Sequence, residues 1–297
     1  MDRNLIVLAG GIASRMRASA VDGRHRHGEE LLREANEKPK GMLAVGRDRR
    51  PFLDYLLLNA REGGVESVMI VVGASDTTIM QRYGNLENPP VPGLSIGFVR
   101  QPIPPGRTKP LGTADALMRA LDARPDWKGA TVVVCNSDNL YSPGAFRLLL
   151  ESPCRNVLIG YDRAALRFDA PRIARFALIR RDAEGFVTDI VEKPDAAHVQ
   201  ELERDPVAPG VSMNIFRLEV DRIYPFLSAV PPDPVRHEKE LPTAVALMAR
   251  SHPGSVCALP LAEHVPDLTQ LEDVAQVELF LGHHATESRF FLRSDQC

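Results

Sequence analysis

The sequence predicts an α/β fold: a mostly parallel, doubly wound (Rossmann-like) central sheet with a small mixed α+β lobe. Short apolar runs, rich in Val and Ile and bounded by turn residues, recur through the first half. Amphipathic helical stretches separate them. Alternation of this kind implies parallel strands with both faces of the sheet covered. The second half changes to a hairpin pattern, which adds the mixed lobe.

The elements follow in order. Leu5–Ala9 is the first strand, and Phe52–Arg61 is a helix with one apolar face. Ser67–Val72 and Leu94–Val99 are strands, the second read as an inner strand followed by Gln101. Gly112–Leu121 is a helix that stops before Pro125. Thr131–Cys135 is the strongest buried strand. Gly144–Glu151 follows Ser142-Pro143, a cap with Pro in the first turn. Val157–Tyr161 is a further strand. Ala174–Arg181 and Phe186–Val191 flank Asp182-Ala183-Glu184-Gly185 and form a hairpin. Val211–Leu218 is a strand, and Glu240–Arg250 and Leu271–Leu281 are helices. No repeat or linker interrupts this order. The chain reads as one domain over residues 1–281, divided near residue 150, with a polar tail at 282–297.

Composition narrows the function. The 297 residues are 44% hydrophobic and 25% charged, which excludes a disordered, collagen-like or disulfide-scaffold chain. A net charge of −3 supplies no basic field for nucleic acid. No apolar run is long enough to span a bilayer. The chain enters its first strand without a basic, then apolar, leader. Cys135, Cys154, Cys257 and Cys297 are far apart and form no C-x-x-C pair, so they read as reduced thiols in a cytoplasmic protein. Neither nucleic acid nor membrane is expected as a partner; a homo-oligomer is compatible with the composition. Arg outnumbers Lys by 30 to 6, which draws attention to Lys40, Lys109 and Lys193, all inside motifs.

The first strand ends in Leu8-Ala9-Gly10-Gly11-Ile12-Ala13-Ser14-Arg15. Glycines at a strand-to-helix turn let backbone approach a ligand closely, and amides at a helix start favour anions. Arg15 adds a planar fork for phosphate oxygens. The patterns G-x-x-x-x-G-K-[ST] and G-x-G-x-x-G are both absent, which argues against a P-loop kinase and a dehydrogenase. Residues 21–38 are dense in charge of both signs, with Glu29–Glu37 helix-like. They read either as a solvated excursion or as a lid beside a phosphate site. Four more motifs follow: Lys38-Pro39-Lys40-Gly41, Arg107–Leu117 around Gly112-Thr113-Ala114-Asp115-Ala116, Asn136-Ser137-Asp138-Asn139, and Val191-Glu192-Lys193-Pro194. Asp115 by itself reads as an acidic charge at a helix start.

With these five motifs in this order, the chain resembles the sugar-1-phosphate nucleotidyltransferases over about residues 4 to 280. The resemblance implies a magnesium-dependent enzyme. It would join a nucleoside triphosphate, UTP or dTTP by preference, to a sugar 1-phosphate and release pyrophosphate. Residues of about 1–150 would then bind the nucleotide and about 151–281 the sugar phosphate. By the same resemblance Leu8, Ala9, Gly10 and Gly11 contact base and ribose, and Arg15 and Lys40 reach the phosphates. Gln101 reads a pyrimidine through both ends of its amide, and Gly112 precedes the helix that packs on the base. Asp138 binds Mg²⁺, Glu192 holds a sugar hydroxyl, and Lys193 holds the sugar phosphate. Arg15, Lys40, Asp138 and Lys193 form the catalytic set.

The departures are specific. Ala13 stands for a third glycine. Asn214, in Ser212-Met213-Asn214-Ile215-Phe216, stands for a glycine at the sugar pocket, so the sugar need not be plain glucose or mannose. The Glu240-Leu241-Pro242-Thr243-Ala244 segment lacks the second metal-binding Asp found there in many members, and Asp267 is the substitute ligand. Two alternatives stay open: a cytidylyltransferase for a phosphorylated alcohol, and a non-catalytic sugar-nucleotide sensor. The chemistry itself asks little covalent help from protein. It needs in-line positioning and neutralised charge at the α-phosphorus and the leaving pyrophosphate.

Overall fold

The computed structural model describes residues 2–11, 16, 29–85, 87–192, 194 and 209–284. Its first strand, β1 (Asn4–Ala9), is buried from Leu5 onward, as an uninterrupted apolar run requires of a strand covered on both faces. β2 (Ala44–Val45) and β3 (Arg50–Pro51) pair as a small ribbon. Then come β4 (Ser67–Gly73), β5 (Ser95–Gln101), β6 (Thr131–Asn136) and β7 (Val157–Tyr161). The second half supplies β8 (Ala177–Arg181), β9 (Val187–Val191), β10 (Gly210–Glu219) and β11 (Cys257–Leu261). Apart from the ribbon, the described strands form one nine-stranded sheet in the order β11-β7-β10-β6-β1-β4-β5, with β8 on β10 and β9 on β8.

β1 lies parallel between β4 and β6, and β4 carries β5 in parallel. The chain leaves β1 for β4 and β5 on one side and returns to β6 on the other. The carboxyl end of β1 is therefore the switch point, where open α/β sheets form a crevice. β10 runs antiparallel between β6 and β7, with Ile215 opposite Cys135. Its beginning, rather than its end, thus lies at the same sheet edge.

Alternate residues of β1 feed two cores. Leu5, Val7 and Ala9 pack with the helices Phe52–Glu62 and Pro143–Glu151. Ile6 and Leu8 pack with the helices Thr113–Asp122, Val220–Ala229 and Leu241–Ser251. Ser142 Oγ accepts from the Ala145 amide at 3.0 Å, the cap expected from Ser142-Pro143. Asp182 and Gly185 close the β8–β9 hairpin, with Gly185 at φ 90°. Trp127 is buried under the Arg124 guanidinium, 4.1 Å from the ring centroid, and so is a packing residue.

Three expectations need correction. β5 is the edge of the sheet, not an inner strand, and Gln101 is its last residue. The helix Asp273–His284 runs past residue 281. Cys154 and Cys257 are joined in a disulfide, and only Cys135 is a free thiol among the described residues. Their separation of 103 residues hid the pairing. β11 lies parallel beside β7 with Cys257 opposite Val157, which brings it to the turn that holds Cys154. Arg217 ties the same turn. Its guanidinium donates to the carbonyls of Leu149, Leu150, Ser152 and Cys154 at 2.6–3.2 Å, satisfying the end of the Pro143–Glu151 helix.

A second buried charge ties the helices Phe52–Glu62 and Thr78–Tyr83 together. Asp54, fully buried, accepts a forked pair of bonds from Arg82 and one from the Tyr83 hydroxyl at 2.7 Å. Breaking a buried pair from one side leaves the other charge uncompensated, at a cost of about 3–5 kcal/mol. Asp54→Ala should lower stability by that amount in urea titration, and Tyr83→Phe by about 1 kcal/mol. Equal midpoints for wild type and Asp54→Ala would refute the anchor.

Candidate active site

The carboxyl ends of β1, β4 and β5 enclose a cavity of about 240 Å³. Ala9, Gly10 and Gly11 form its floor, and Gly73–Thr78 and Gln101 form its walls. Ile103 and Pro110 close one side, and Glu37 and Pro39 the other. Leu8 sits one step behind, its side chain in the core and its carbonyl accepting from the Ser137 amide at 3.2 Å. The end of β1 is thereby bonded to the turn after β6.

Gln101 is 3% exposed and its amide nitrogen is fully used. Nε2 donates to the Gly112 carbonyl at 2.8 Å and to Asp115 Oδ2 at 2.9 Å. The nitrogen therefore cannot also read a base, which corrects the expectation of a two-ended contact. Oε1 lies against Gly10; a Cβ there would come within 2.9 Å of it. Gly112 has φ 113°, and a Cβ there would meet the Lys239 carbonyl at 2.5 Å, so the position admits only glycine. Lys109 pairs with Glu238 at 2.6 Å on the same loop pair. Asp76, which sequence reading missed, caps the helix Thr78–Tyr83 by accepting from the Ile79 amide at 3.0 Å. Burial in the cavity wall raises its carboxyl above the usual range. The signal was present as Ser75-Asp76-Thr77-Thr78 directly after a strand.

Across the crevice, Lys40 Nζ donates to Asp138 Oδ2 at 2.9 Å. Lys40 opens the short turn Lys40–Met42, and Asp138 follows β6. Asp267 lies beside Asp138: Asn139 bridges to Asp267, and the Leu268 amide donates to the Asp138 carbonyl at 2.8 Å. Asp267 Oδ2 accepts from Arg172 at 2.6 Å and from the Thr269 hydroxyl at 2.8 Å. Arg172 also forks onto Asp273. Burial, then the Asp138 charge, pushes the Asp267 carboxyl up, while Arg172 and Thr269 pull it down. Each carboxylate thus has Oδ2 engaged by a cation and Oδ1 accepting from no described residue. The Oδ1 atoms of Asp138 and Asp267 are hard oxygens of the kind that suit Mg²⁺, which binds through one or two carboxylates plus substrate phosphate. Among the described residues, no group of three or more His, Cys, Asp or Glu could hold a metal.

The residues that the resemblance assigns to the sugar, Glu192 and Asn214, reach the same edge. Val191 is level with Leu178, and Leu178 with Val211, so Glu192 lies in line with Ser212, two residues from Asn214. Asn214 has φ 57°, beside a register shift between β10 and β7, and its buried Oδ1 has no hydrogen-bond partner among the described residues. Tyr141 fixes this bulge by donating to the Met213 carbonyl at 2.6 Å. The structure thus brings together Leu8, Ala9, Gly10, Gly11, Gln101 and Gly112 on one side and Lys40, Asp138 and Asp267 on the other. Arg15, Lys193 and residues 21–28 lie outside the described residues. Glu29–Glu37 is a helix, as expected, with buried Glu34 accepting from Lys38 at 2.8 Å and from the Ala44 amide at 3.2 Å.

His264 stands behind Arg172. Its ring contacts Phe168 and Phe280, and its Nδ1 accepts from the Arg167 amide at 3.1 Å. Burial, then the charges of Arg167 and Arg172, lowers it from 6.5 to about 4. The folded protein keeps His264 neutral where the unfolded chain protonates it. Its contribution to stability is therefore present above about pH 6.5 and is lost as the pH falls toward 4. His264→Gln should flatten the acid limb of a urea-midpoint profile between pH 7.5 and 4. Parallel profiles for the two proteins would contradict this.

The nucleotidyl transferase family model matches residues 30–218. The chain is 23% identical over 248 residues to the bifunctional protein GlmU of Staphylococcus carnosus, covering 84% of this chain and 45% of that protein. It is 24% identical over 228 residues to the GlmU of Trichlorobacter lovleyi, at 77% and 45% coverage. The chain thus spans less than half the length of the curated relatives it matches. Among solved structures, a UDP-glucose pyrophosphorylase complexed with UDP-glucose aligns with TM-score 0.66 and 18% identity, over 95% of this chain and 99% of the other. A UDP-glucose pyrophosphorylase from Acinetobacter baumanii aligns with TM-score 0.68 and 19% identity, over 97% and 95%. These likenesses show the same fold.

Proposed function

The chain belongs to the nucleotidyl transferase family, and from that premise we propose that it transfers a nucleotidyl group from a nucleoside triphosphate, UTP or dTTP, to a sugar 1-phosphate, releasing pyrophosphate. The observation that carries this reading is one crevice at the β1 switch point. The Gln101–Gly112 cavity lies on one side of it and the Lys40–Asp138 pair on the other. That the solved neighbours are UDP-glucose pyrophosphorylases supports a uridine nucleotide. Residues of about 1–150 would bind the nucleotide and about 151–281 the sugar phosphate.

The base enters the cavity over Gly10, with Gln101 at its edge. Lys40, already at the crevice, exchanges Asp138 for the β- and γ-phosphates and stabilises the departing pyrophosphate, together with Arg15. Asp138 and Asp267 would hold Mg²⁺ through their Oδ1 atoms; when bound, the ion neutralises charge building at the α-phosphate. Arg172 keeps Asp267 oriented toward it. On the sugar side Glu192 and Asn214 take hydroxyls and Lys193 the acceptor phosphate, which attacks the α-phosphorus in line.

Pyrophosphate release, measured for UTP, dTTP, CTP, GTP and ATP against a set of sugar 1-phosphates, tests the reading. Release with UTP or dTTP is expected, and Asp138→Asn should lower kcat roughly a hundredfold or more while the melting temperature holds. No release with any pair would overturn the assignment. The orphaned Asn214 Oδ1 calls for a sugar hydroxyl or N–H donor. Asn214→Gly keeps the backbone and removes that acceptor. It should raise the KM for the preferred sugar phosphate roughly tenfold, or more, with the KM for nucleotide unchanged. An unchanged sugar KM would exclude the contact.

A further inference from the structure

Asp115 has a task that a helix-start charge does not explain. It is 2% exposed, its Oδ2 accepts from Gln101 Nε2 at 2.9 Å, and its Oδ1 pairs with Arg119 at 3.4 Å. The Gly112 carbonyl accepts from the same Nε2 at 2.8 Å. A carbonyl and an ion-paired carboxylate are both acceptors, so the carboxamide nitrogen must face them. Turning the carboxamide over would set Oε1 against two oxygens in a buried place, where unpaired acceptors are costly. The end left on the cavity side is Oε1, beside Gly10, and it accepts from no described residue.

We propose that Asp115 is a positioning residue that fixes the Gln101 carboxamide with its acceptor toward the base. The site then selects a base whose ring edge carries an imino N–H donor. This rests on the nucleotidyl-transfer reading above. Uracil and thymine carry that donor at N3, and guanine carries one at N1. Cytosine N3 and adenine N1 are bare acceptors and face Oε1 with like polarity. The discrimination is thus set by a residue that need not touch the nucleotide.

Binding of UTP, CTP, GTP and N3-methyl-UTP to the full chain with Mg²⁺, followed by calorimetry, tests this. Wild type should bind UTP roughly ten- to a hundredfold more tightly than N3-methyl-UTP or CTP, since each removes one buried pair. GTP tighter than UTP would keep the donor rule and reassign the base to a purine. Asp115→Asn preserves size but can donate as well as accept, which lets Gln101 turn over. Its UTP-to-CTP preference should fall tenfold or more, by loss on UTP and gain on CTP. A residue that only supports the fold would weaken both nucleotides by one factor, and that result overturns the proposal. Equal affinity of wild type for UTP and N3-methyl-UTP overturns it too while leaving nucleotidyl transfer intact. Failure of wild type to bind any triphosphate removes both.

Discussion

The parallel pairing of β1 on both flanks is the constraint from which the rest of the structure follows. Asn4 to Ala9 pair residue by residue with Ser67 to Val72, and Asn4 to Leu8 with Val132 to Asn136. Because the strands are in parallel register, their carboxyl ends stop at one level. Four turns, after β1, β4, β5 and β6, must then share one edge, and each contributes a polar backbone or side chain there. The antiparallel β10 brings Met213 and Asn214 to the same edge from the opposite direction. A crevice built this way is held at its floor, because Ala9 to Gly11 directly continue a strand buried on both faces.

Electrostatics in the crevice follow from the same geometry. Asp138 ends β6, and Asp267 reaches it through a single bridge to Asn139. Two carboxylates this close repel, and burial first, then the Asp138 charge, pushes the Asp267 carboxyl upward. Lys40 and Arg172 answer it one to one. The two cations differ in kind. Arg172 is a fork, stacked 4.4 Å from the Phe168 centroid and bound to two aspartates, and so is fixed. Lys40 is a single ammonium with one carboxylate partner among the described residues, a point charge without the fork that fixes Arg172.

Most of the sheet was legible because its strands are apolar runs between turn residues. Leu5–Ala9, Thr131–Cys135 and Val157–Tyr161 match β1, β6 and β7 within a residue. The helix Val220–Ala229 and β11 were not read, and each carries a proline, Pro225 and Pro260. Pro260 sits on an edge strand, where the missing N–H costs least. Of the candidate site, the motif order singled out Lys40 and Asp138, and the fold pairs these two side chains although 98 residues separate them. Arg172, the disulfide and the contact of Asp115 with Gln101 were not legible. Each depends on which segments the fold sets side by side, and no local pattern encodes that.

Asn214 separates two demands that one position usually merges. The register shift beside β7 requires a left-handed backbone at φ 57°. Glycine meets that requirement freely, and Asn is the side chain that tolerates it best. The resemblance to a glycine-bearing motif and the Asn found here therefore satisfy the same backbone constraint. What Asn adds is Oδ1, buried with no partner among the described residues. Leaving it so costs about 1–3 kcal/mol, a cost that a donor on a bound ligand would lift. The bulge itself does not need Oδ1, because Tyr141 already holds it through the Met213 carbonyl. Backbone shape at this point thus belongs to the fold, and the side chain is left free to distinguish one acceptor from another.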